Sequence, residues 1–300
     1  MTQAHEWTAA DAAGMVRAPG PHSHKYNRGV LGLRTGSSAY PGAAVLGAEA
    51  AWRTGIGLVC FFAQVGDDRP AFGLPSPAAA VLARRPETVF AHDSAVDRAR
   101  CDAWVIGSGT NARSRSLAET AALTEILTGD SPVVIDAGAL DLVSTGPVAA
   151  PAVVTPHLGE FRLLCESAGI EDVGGTDVEQ TDAALALADR TGVTVLLKGS
   201  RTICASPGGS VYVTGPATPW LATAGTGDVL AGILGTLLAG HSSEIHHDDE
   251  LLVKLGATAA VLHDQAARIA LGDHTEARPG PITALDVADA LPRVISSLIS

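Results

Sequence analysis

The sequence predicts an α/β fold in which a central, mostly parallel sheet carries helices on both faces. Short apolar runs such as 103–106 and 132–135 alternate along the chain with longer segments of helical period, and this alternation is typical of parallel sheets. The runs are apolar throughout, as expected of strands that are buried on both faces. With 300 residues, the chain is long enough to enclose such a core in one domain.

The individual elements can be assigned in order along the chain. Residues 1–22 are small and polar without a sustained period, and we expect a flexible N-terminal tail there. A weak strand follows Gly29. The other predicted strands are 57–65, 103–106, 132–135, 152–154, 193–197, 202–205 and 211–213, and the predicted helices are 43–54, 78–83, 116–127, 229–238, 250–271 and 283–299. The last two strands flank Pro207-Gly208-Gly209 and should form a hairpin, and residues 23–300 should form a single domain.

Composition and charge exclude several classes of function. The formal net charge of −12 argues against nucleic-acid binding, which requires a basic face. The longest apolar run, 229–240, is too short and too rich in glycine to span a bilayer, and the first residues lack the features of a signal peptide. The four cysteines are scattered without the spacing of metal ligands and are expected as buried free thiols. We therefore expect a cytoplasmic protein that binds neither nucleic acid nor membrane.

The segment 222–228, Ala-Thr-Ala-Gly-Thr-Gly-Asp, precedes the most apolar predicted helix. Its two glycines allow a tight turn and a close approach of the backbone to a ligand. Unpaired N–H groups at a helix start suit a phosphate, and a carboxylate beside that phosphate could accept a proton from a hydroxyl group. The segment therefore predicts phosphoryl transfer onto a hydroxyl with Asp228 as the base. The alternative is that Asp228 only caps the helix.

Two further segments follow predicted strands and carry polar groups. Residues 198–202, Lys-Gly-Ser-Arg-Thr, combine a cation, a glycine and hydroxyl groups that could hold a nucleotide phosphate, although a surface turn has the same composition. In segment 155–160, His157 and Glu160 would lie one helical turn apart. His157 could donate to a substrate oxygen and Glu160 could bind Mg²⁺, or Glu160 could simply cap the helix. Because Gly107, Asp136 and His157 each end a predicted strand, they should lie at one edge of the sheet.

Taken together, these motifs resemble a known family, the ADP-dependent or ATP-dependent NAD(P)H-hydrate dehydratases, which have a ribokinase-like fold. Each motif is weakly specific by itself, but the six occur in the family's order and spacing from about residue 24 to the end of the chain. The matching segments are Lys25-Tyr26-Asn27-Arg28-Gly29, 36–44, Asp136-Ala137-Gly138-Ala139-Leu140, 155–161, Leu197-Lys198-Gly199 and 221–228.

The resemblance implies the repair of a damaged nicotinamide cofactor. Members of this family act on the S epimer of NADHX or NADPHX, in which water has added across the C5–C6 double bond of the nicotinamide ring. They phosphorylate the C6 hydroxyl, with ADP as co-substrate in bacterial members. Elimination of phosphate then restores NADH or NADPH and leaves AMP. Phosphorylation makes chemical sense because hydroxide is a poor leaving group.

The resemblance also implies roles for individual residues. Asp228 would be the catalytic base and would contact the substrate, and the N–H groups around Gly225, Thr226 and Gly227 would form an anion hole for the transferred phosphoryl group. Mg²⁺ is expected as a charge-neutralising bridge. The residues implied in adenine nucleotide binding are Lys198, Gly199, Ser200, Arg201, Thr202 and Gly227, those implied in substrate contact are Ala43, Gly109, His157 and Asp228, and Glu160 is a candidate metal ligand.

The sequence departs from the family pattern at two places. The family's Gly-Pro-Gly-x-Gly loop reads Gly107-Ser108-Gly109-Thr110-Asn111, and the usual Asp-Ala-Asp-Ala-Leu has Gly138 in place of its second aspartate. Many relatives also carry an N-terminal epimerase domain, for which this chain is too short, so we expect a separate NAD(P)HX epimerase to act on the same metabolite. A homo-oligomer is expected by resemblance.

Two other functions are compatible with the same motifs. A vitamin-precursor kinase of the ribokinase-like fold, acting on hydroxymethylpyrimidine or hydroxyethylthiazole, would share the Gly-Thr-Gly-Asp helix start but commonly has Asn at the position of His157. A nucleotide-binding protein without catalytic activity would bind nucleotide and not turn it over. His157 and the segment 25–29 favour the dehydratase, and the intact motif at Gly225–Asp228 argues against an inactive protein.

Overall fold

The computed structural model, which describes residues 4–67, 71–171, 173–272 and 280–299, is built around one ten-stranded sheet. Most of its strands are short and completely buried, as predicted from their apolar sequences. The strands are β1 His5–Glu6, β2 Val30–Arg34, β3 Leu58–Phe61, β4 Val89–Phe90, β5 Ala103–Ile106, β6 Val133–Ile135, β7 Ala152–Val154, β8 Thr194–Leu197, β9 Thr202–Ala205 and β10 Val211–Thr214.

The order of the strands across the sheet is β1-β10-β9-β8-β7-β6-β5-β2-β3-β4. Within the described residues all neighbours pair in parallel except those of β9, which is antiparallel to both β8 and β10. The chain runs from β2 outward to β3 and β4 and then crosses to β5 on the other side of β2. Such a reversal is where α/β sheets bind their ligands, at the carboxyl ends of the strands.

Twelve α-helices accompany the sheet in the part of the chain that the structure describes. They are α1 Ala9–Ala13, α2 Pro41–Thr54, α3 Pro77–Arg84, α4 Ala95–Arg98, α5 Leu117–Leu127, α6 Leu142–Thr145, α7 Leu158–Ser167, α8 Asp177–Thr191, α9 Thr226–Gly240, α10 Ser242–Ile245, α11 Glu250–Ala270 and α12 Ala284–Leu298. Of these, α2, α9, α11 and α12 pack on one face of the sheet, and α5, α7 and α8 pack on the other. The prediction of helices on both faces is confirmed.

The alternation of side chains along each strand divides the core into two layers. In β5, Ala103 and Val105 face the layer that contains α9, whereas Trp104 and Ile106 face the layer that contains α5. Both sets of side chains are almost completely buried. This two-sided burial is the physical reason that β5 is apolar at every position, since neither face of a covered sheet meets water.

The N-terminal segment differs from the flexible tail predicted for residues 1–22. His5–Glu6 forms β1, which extends the sheet beside β10, and α1 begins at a capping box between Thr8 and Asp11. The indole N–H of Trp7 donates to the hydroxyl of Thr258 in α11 at 3.1 Å. The prediction is therefore wrong for this segment, because edge pairing and one aromatic anchor hold a stretch that has no periodic pattern of its own.

Helices α2 and α9 cross so closely that there is no room for a side chain at Gly232. A Cβ at Gly232 of α9 would collide with the carbonyl oxygen of Gly47 in α2 and approach Ala50 Cβ to 2.9 Å. We expect Gly232→Ala to lower the free energy of unfolding by about 1–3 kcal/mol, because the helices must separate. Urea denaturation measures the change. Gly240→Ala is the matched control in the same helix, since a Cβ there has no heavy atom within 4 Å; an equal loss in both variants would contradict this explanation.

Candidate active site

The carboxyl ends of five parallel strands bring separate parts of the chain to one edge of the sheet. Gly36 follows β2, Gly107 follows β5, Asp136 follows β6, His157 lies just beyond β7 and Lys198 follows β8. His157 and Lys198 are joined by an isolated parallel bridge. The expectation that Gly107, Asp136 and His157 share an edge is confirmed, and Lys198 lies with them.

Helix α9 begins at this edge. Its N-cap is Gly225, which adopts a left-handed conformation with φ of 90°, and no side chain caps the helix. Asp228 is the third residue of the helix and forms no hydrogen bond through its side chain within the described parts of the chain. The capping alternative for Asp228 is therefore not supported, and the Asp228 carboxylate is free to interact with a ligand.

The first turn of α9 also presents unpaired backbone donors. Among the described residues, the N–H groups of Gly225 and Gly227 have no hydrogen-bond acceptor, as is usual at a helix start. Thr226 contributes differently, because its hydroxyl donates to the carbonyl oxygens of Leu221 and Thr223, at 2.9 Å each. Gly225 and Gly227 thus offer N–H groups to an anion, while the Thr226 side chain holds the preceding loop in place.

The ionisation of Asp228 is strongly perturbed. Burial and the negative charge of Asp136 raise the pKa of its carboxyl group and Lys198 lowers it, and together they give a pKa of about 7. A carboxylate with such a pKa is much more basic than an ordinary aspartate. It can accept a proton from a hydroxyl group near neutral pH, as general bases are tuned to do.

Asp136 and Lys198 form a buried ion pair beside Asp228. Lys198 Nζ lies 3.0 Å from Asp136 Oδ1, and Asp136 also accepts hydrogen bonds from the hydroxyls of Thr155 at 2.8 Å and Ser108 at 2.9 Å. Burial disfavours the Lys198 ammonium, but Asp136, Glu160 and Asp228 outweigh that effect and raise the pKa of Lys198. Lys198 therefore remains a cation at the start of α9.

The sequence-based set of site residues does not include Asp136. Its position at the end of a predicted strand indicates that Asp136 could belong to the site. The sequence does not show, however, which residue it pairs with. The partner, Lys198, lies 62 residues further along the chain. Only the pairing of β6 with β7 and of β7 with β8 brings the two side chains together.

A cavity of about 850 Å³ opens beside Lys198 and the first turn of α9. Of the predicted nucleotide-binding residues, those that line it are Lys198, Gly199, Ser200, Thr202 and Gly227. Arg201 is not part of this lining. Its guanidinium instead pairs with Asp177 at 3.8 Å and Glu6 at 4.0 Å.

Other residues of the cavity lie on α11. His263 is buried, and within the described residues its Nε2 has no hydrogen-bond partner. Burial lowers the pKa of His263 to about 4, so the ring is neutral near pH 7. Asp264, the next residue, accepts from the backbone N–H of Thr218 at 2.8 Å and ties a second wall of the cavity to α11.

His157 and Glu160 form a reciprocal cap at the start of α7. The backbone N–H groups of Gly159 and Glu160 donate to His157 Nδ1 at 3.0 and 3.2 Å, and Glu160 Oε2 accepts from the backbone N–H of His157 at 2.9 Å. The capping alternative considered for Glu160 is therefore realised. The exposed His157 ring also lines the cavity, with its Nε2 3.5 Å from Glu160 Oε2.

Ala43 and Gly109, both predicted to contact the substrate, lie against each other. Gly109 has φ of 66°, and a Cβ on it would overlap the Ala43 methyl group. They are not in the lining of the large cavity. Ala43 is in α2, which packs against α9 so closely that a Cβ at Gly47 would lie 3.8 Å from the Asp228 carbonyl oxygen. Helix α9 thus contacts both regions, since Gly227 lines the cavity and the Asp228 backbone faces α2.

The two departures from the family pattern contact each other. A Cβ at Gly138 would overlap the backbone carbonyl group and the hydroxyl of Thr110. The Gly138 N–H donates to the Gly107 carbonyl oxygen at 3.2 Å, and the Thr110 hydroxyl donates to the same oxygen at 2.8 Å. An aspartate at position 138 would not fit beside this loop, so the two changes form one local rearrangement.

Carboxylates near Lys198 could contribute ligands to a metal ion that arrives with a nucleotide. No group of three or more His, Cys, Asp or Glu side chains that could hold a metal occurs within the described residues. Mg²⁺ is commonly bound by one or two carboxylates together with substrate phosphates. Asp136, Glu160 and Asp228 all lie near enough to Lys198 to raise its pKa, so carboxylates surround the end of the cavity that suits phosphates.

Two features outside the site also bear on the predictions made from the sequence. All four cysteines are free and buried, as expected. In the described part of the chain, none of the helices combines the length and apolar character needed to cross a bilayer.

Comparisons with known proteins identify the relatives of this chain. The NAD(P)H-hydrate dehydratase family model matches residues 31–293. The bifunctional NAD(P)H-hydrate repair enzyme Nnr of Mycobacterium tuberculosis is 42% identical over 237 residues, which is 77% of this chain and 45% of that protein. The chain thus spans less than half the length of this relative. The ADP-dependent (S)-NAD(P)H-hydrate dehydratase of Neisseria meningitidis is 35% identical over 233 residues, covering 75% of this chain and 74% of that one.

A solved structure shares the fold over nearly the whole chain. The ADP/ATP-dependent NAD(P)H-hydrate dehydratase of Bacillus subtilis, co-crystallised with ATP and Mg²⁺, superimposes with a TM-score of 0.78 and 25% identity, covering 99% of this chain and 100% of that one. The predicted ribokinase-like fold is thereby confirmed. Because the family model extends over most of the sequence, the chain belongs to the NAD(P)H-hydrate dehydratase family.

Proposed function

We propose that this chain dehydrates (6S)-NADHX and (6S)-NADPHX to NADH and NADPH, using ADP as the phosphoryl donor and releasing AMP and phosphate. The observation that carries the proposal is the position of Asp228, a carboxylate with a pKa of about 7, in the first turn of α9 and beside the Asp136–Lys198 pair. The names of the relatives support the choice of substrate and nucleotide.

The chemistry begins with proton transfer to Asp228. As the carboxylate takes the proton of the C6 hydroxyl, the freed oxygen attacks the β-phosphorus of ADP and AMP departs with the electrons of the broken P–O bond. Loss of phosphate from C6, together with a proton from C5, restores the double bond. Phosphorylation therefore makes the C6 oxygen a good leaving group, and the net reaction converts the hydrate and ADP into the reduced cofactor, AMP and phosphate.

Each part of the site has one task in this proposal. Lys198 and the cavity-lining residues Gly199, Ser200 and Thr202 hold the nucleotide, and the Lys198 ammonium offsets the charge of the phosphates. The N–H groups of Gly225 and Gly227 stabilise the phosphoryl group in transit, since fixed dipoles act strongly where water is excluded. The substrate's nicotinamide lies against the surface of Ala43 and Gly109, with His157 hydrogen-bonded to it.

Mg²⁺ is proposed to enter with the nucleotide and to neutralise charge on its phosphates. Glu160 is the candidate for its coordination shell, directly or through water, because one of its two carboxylate oxygens is free of the α7 cap. The B. subtilis relative, co-crystallised with ATP and Mg²⁺, supports this pairing of ion and nucleotide. A separate NAD(P)HX epimerase, a homo-oligomeric assembly and a cytoplasmic location stay predictions.

The proposal predicts a pH dependence that follows from Asp228. Since burial and Asp136 raise the pKa of this carboxyl to about 7, the base is protonated and inactive at lower pH. We expect kcat/KM to fall about tenfold for each pH unit below about pH 7. Initial rates between mildly acidic and alkaline pH test this, and a flat profile through neutrality would rule out a base with such a pKa.

The decisive experiment is an absorbance assay with parallel nucleotide arms. Purified chain is incubated with (6S)-NADHX, Mg²⁺ and either ADP or ATP, and the return of the reduced-nicotinamide absorbance band is followed together with AMP and phosphate. The expected result is recovery with ADP and one AMP released for each NADH formed. Phosphorylation of a thiazole or pyrimidine alcohol without NADHX turnover would identify a vitamin-precursor kinase, and nucleotide binding without any turnover would identify an inactive protein.

A further inference from the structure

The N-terminal segment contributes to the same cavity as the phosphate-binding elements. Glu6, Trp7, Thr8 and Ala9 line it together with Lys198 and Gly227. These four residues precede residue 31, where the match to the family model begins. The segment predicted from the sequence to be a flexible tail therefore forms one wall of the proposed nucleotide site.

The topology places this wall at the end of the cavity away from the phosphate-binding elements. β1 runs parallel to β10, so Trp7, which follows β1, lies at the same edge of the sheet as Lys198, which follows β8. The sheet order β1-β10-β9-β8 separates them by three strand spacings, or about 14 Å. Trp7 and Lys198 therefore lie at opposite ends of one continuous cavity.

Trp7 is held firmly in that position. Its backbone N–H donates to the Val213 carbonyl oxygen at 2.9 Å, its indole N–H donates to the Thr258 hydroxyl at 3.1 Å, and its ring packs edge-on against Tyr212 with centroids 4.8 Å apart. Because the single polar atom of the side chain is already bonded, the indole presents only apolar aromatic surface to the cavity. A half-buried aromatic ring fixed in this way is well suited to pack against a flat ligand group.

The two ends of the cavity differ in chemistry in the same sense as the two ends of a nucleotide. One end has the Lys198 ammonium and the N–H groups at the start of α9, which suit phosphates. At the other end, Trp7 is bonded to α11, and Val261 follows Thr258 by three residues on the same face of that helix. A flat, weakly polar base matches this end and not the cationic one.

We propose that Trp7 packs against the base of the adenine nucleotide and that the N-terminal segment is in this way part of the nucleotide site. This inference deepens the proposed function and rests on it for the identity of the nucleotide. Packing of an aromatic side chain against a base contributes substantially to binding and does not depend on which base is present. Trp7 should thus strengthen the binding of nucleotides but not the binding of ligands that lack a base.

Isothermal titration calorimetry of the full chain with ADP and, separately, with pyrophosphate measures the two affinities and tests the proposal. We expect Trp7→Ala to weaken ADP binding about tenfold and Trp7→Phe to weaken it by less, with pyrophosphate affinity changed less than about twofold in both. The matched control is Trp52→Phe, since Trp52 is also half-buried with its indole N–H bonded to a threonine, Thr88, at 3.1 Å, but it does not line the cavity. Trp52→Phe should bind ADP as the wild type does.

Tryptophan fluorescence gives a second readout that does not depend on Trp7→Ala folding well. ADP should change the emission of the wild type and of Trp52→Phe by more than that of Trp7→Phe, in which Trp220, between the cavity-lining Pro219 and Leu221, remains. Pyrophosphate should affect the three proteins equally. Unaltered ADP affinity in the Trp7 variants, or an equal loss of ADP and pyrophosphate affinity, would overturn the proposal. Because these are binding measurements, absence of NADHX turnover in the wild type would defeat the proposed function without affecting this result.

Discussion

Replacing Asp228 by asparagine should lower kcat by about 10²–10⁴-fold, the range that a general base contributes, while ADP binding changes little. The substitution keeps the size of the side chain at the third position of α9 but removes its ability to accept the hydroxyl proton. Nucleotide affinity should persist because Lys198 and the N–H groups of Gly225 and Gly227 remain. Steady-state rates with NADHX and a parallel titration with ADP separate the two effects.

A matched substitution shows whether the loss is specific to the site. Asp189→Asn removes an exposed carboxylate from α8 on the opposite layer of the molecule, so it should retain wild-type kcat. If Asp228→Asn kept more than about a tenth of the wild-type rate, its contribution would fall below that of a general base, and another group would have to take the proton. If it lost ADP affinity as strongly as activity, Asp228 would be a binding residue instead.

Replacing Asp136 by asparagine should both destabilise the fold and move the pH profile. The change leaves the Lys198 ammonium, whose side chain is 22% exposed, without its partner at 3.0 Å. Removing one member of a buried ion pair leaves an uncompensated charge, and we expect a loss of about 3 kcal/mol in the free energy of unfolding. Urea denaturation followed by circular dichroism measures this.

The second effect of Asp136→Asn distinguishes an electrostatic role from a purely structural one. The charge of Asp136 contributes to the raised pKa of Asp228, so its removal should lower that pKa and shift the acidic limb of kcat/KM toward lower pH. Ser108→Ala is the matched control, because it removes one hydrogen bond to Asp136 at 2.9 Å and leaves the charge. It should cost about 1 kcal/mol and leave the acidic limb in place; an unshifted limb in Asp136→Asn would contradict the electrostatic role.

Much of the fold follows from local pattern. Residues 103–106 and 133–135 are apolar at every position, and strands buried on both faces form there, as predicted. Helices 43–54 and 250–271 are predicted within a few residues of α2 and α11. The predictions do not include α8, a helix whose accessible face is strongly polar, with buried positions limited to four. Its packing on the sheet, more than its own sequence, accounts for its stability.

The N-terminal segment shows the opposite case. Residues 5–13 have no apolar period, yet β1 and α1 form there because β10 offers an unpaired edge and Thr258 accepts the Trp7 indole N–H. His5 and its partner Tyr212 in β10 are 207 residues apart in the sequence, and Trp7 and Thr258 are 251 residues apart. A short polar strand at the edge of a sheet is stabilised by backbone hydrogen bonds to its neighbour, which leave no trace in its side-chain pattern.

The sequence by itself determined the fold class, the family resemblance and the helix start at Gly225–Asp228, because these depend on residues that are close together in the chain. The tertiary structure alone decided which charged groups surround that helix start. It pairs Asp136 with Lys198 across two strand pairings, and it partly buries Asp228 beside them, so that the pKa of this carboxyl rises to about 7. Burial and the distances between charges depend on how the chain folds and not on the order of residues along it. The motif therefore identifies Asp228 as the base, but it does not predict the pKa of that carboxyl.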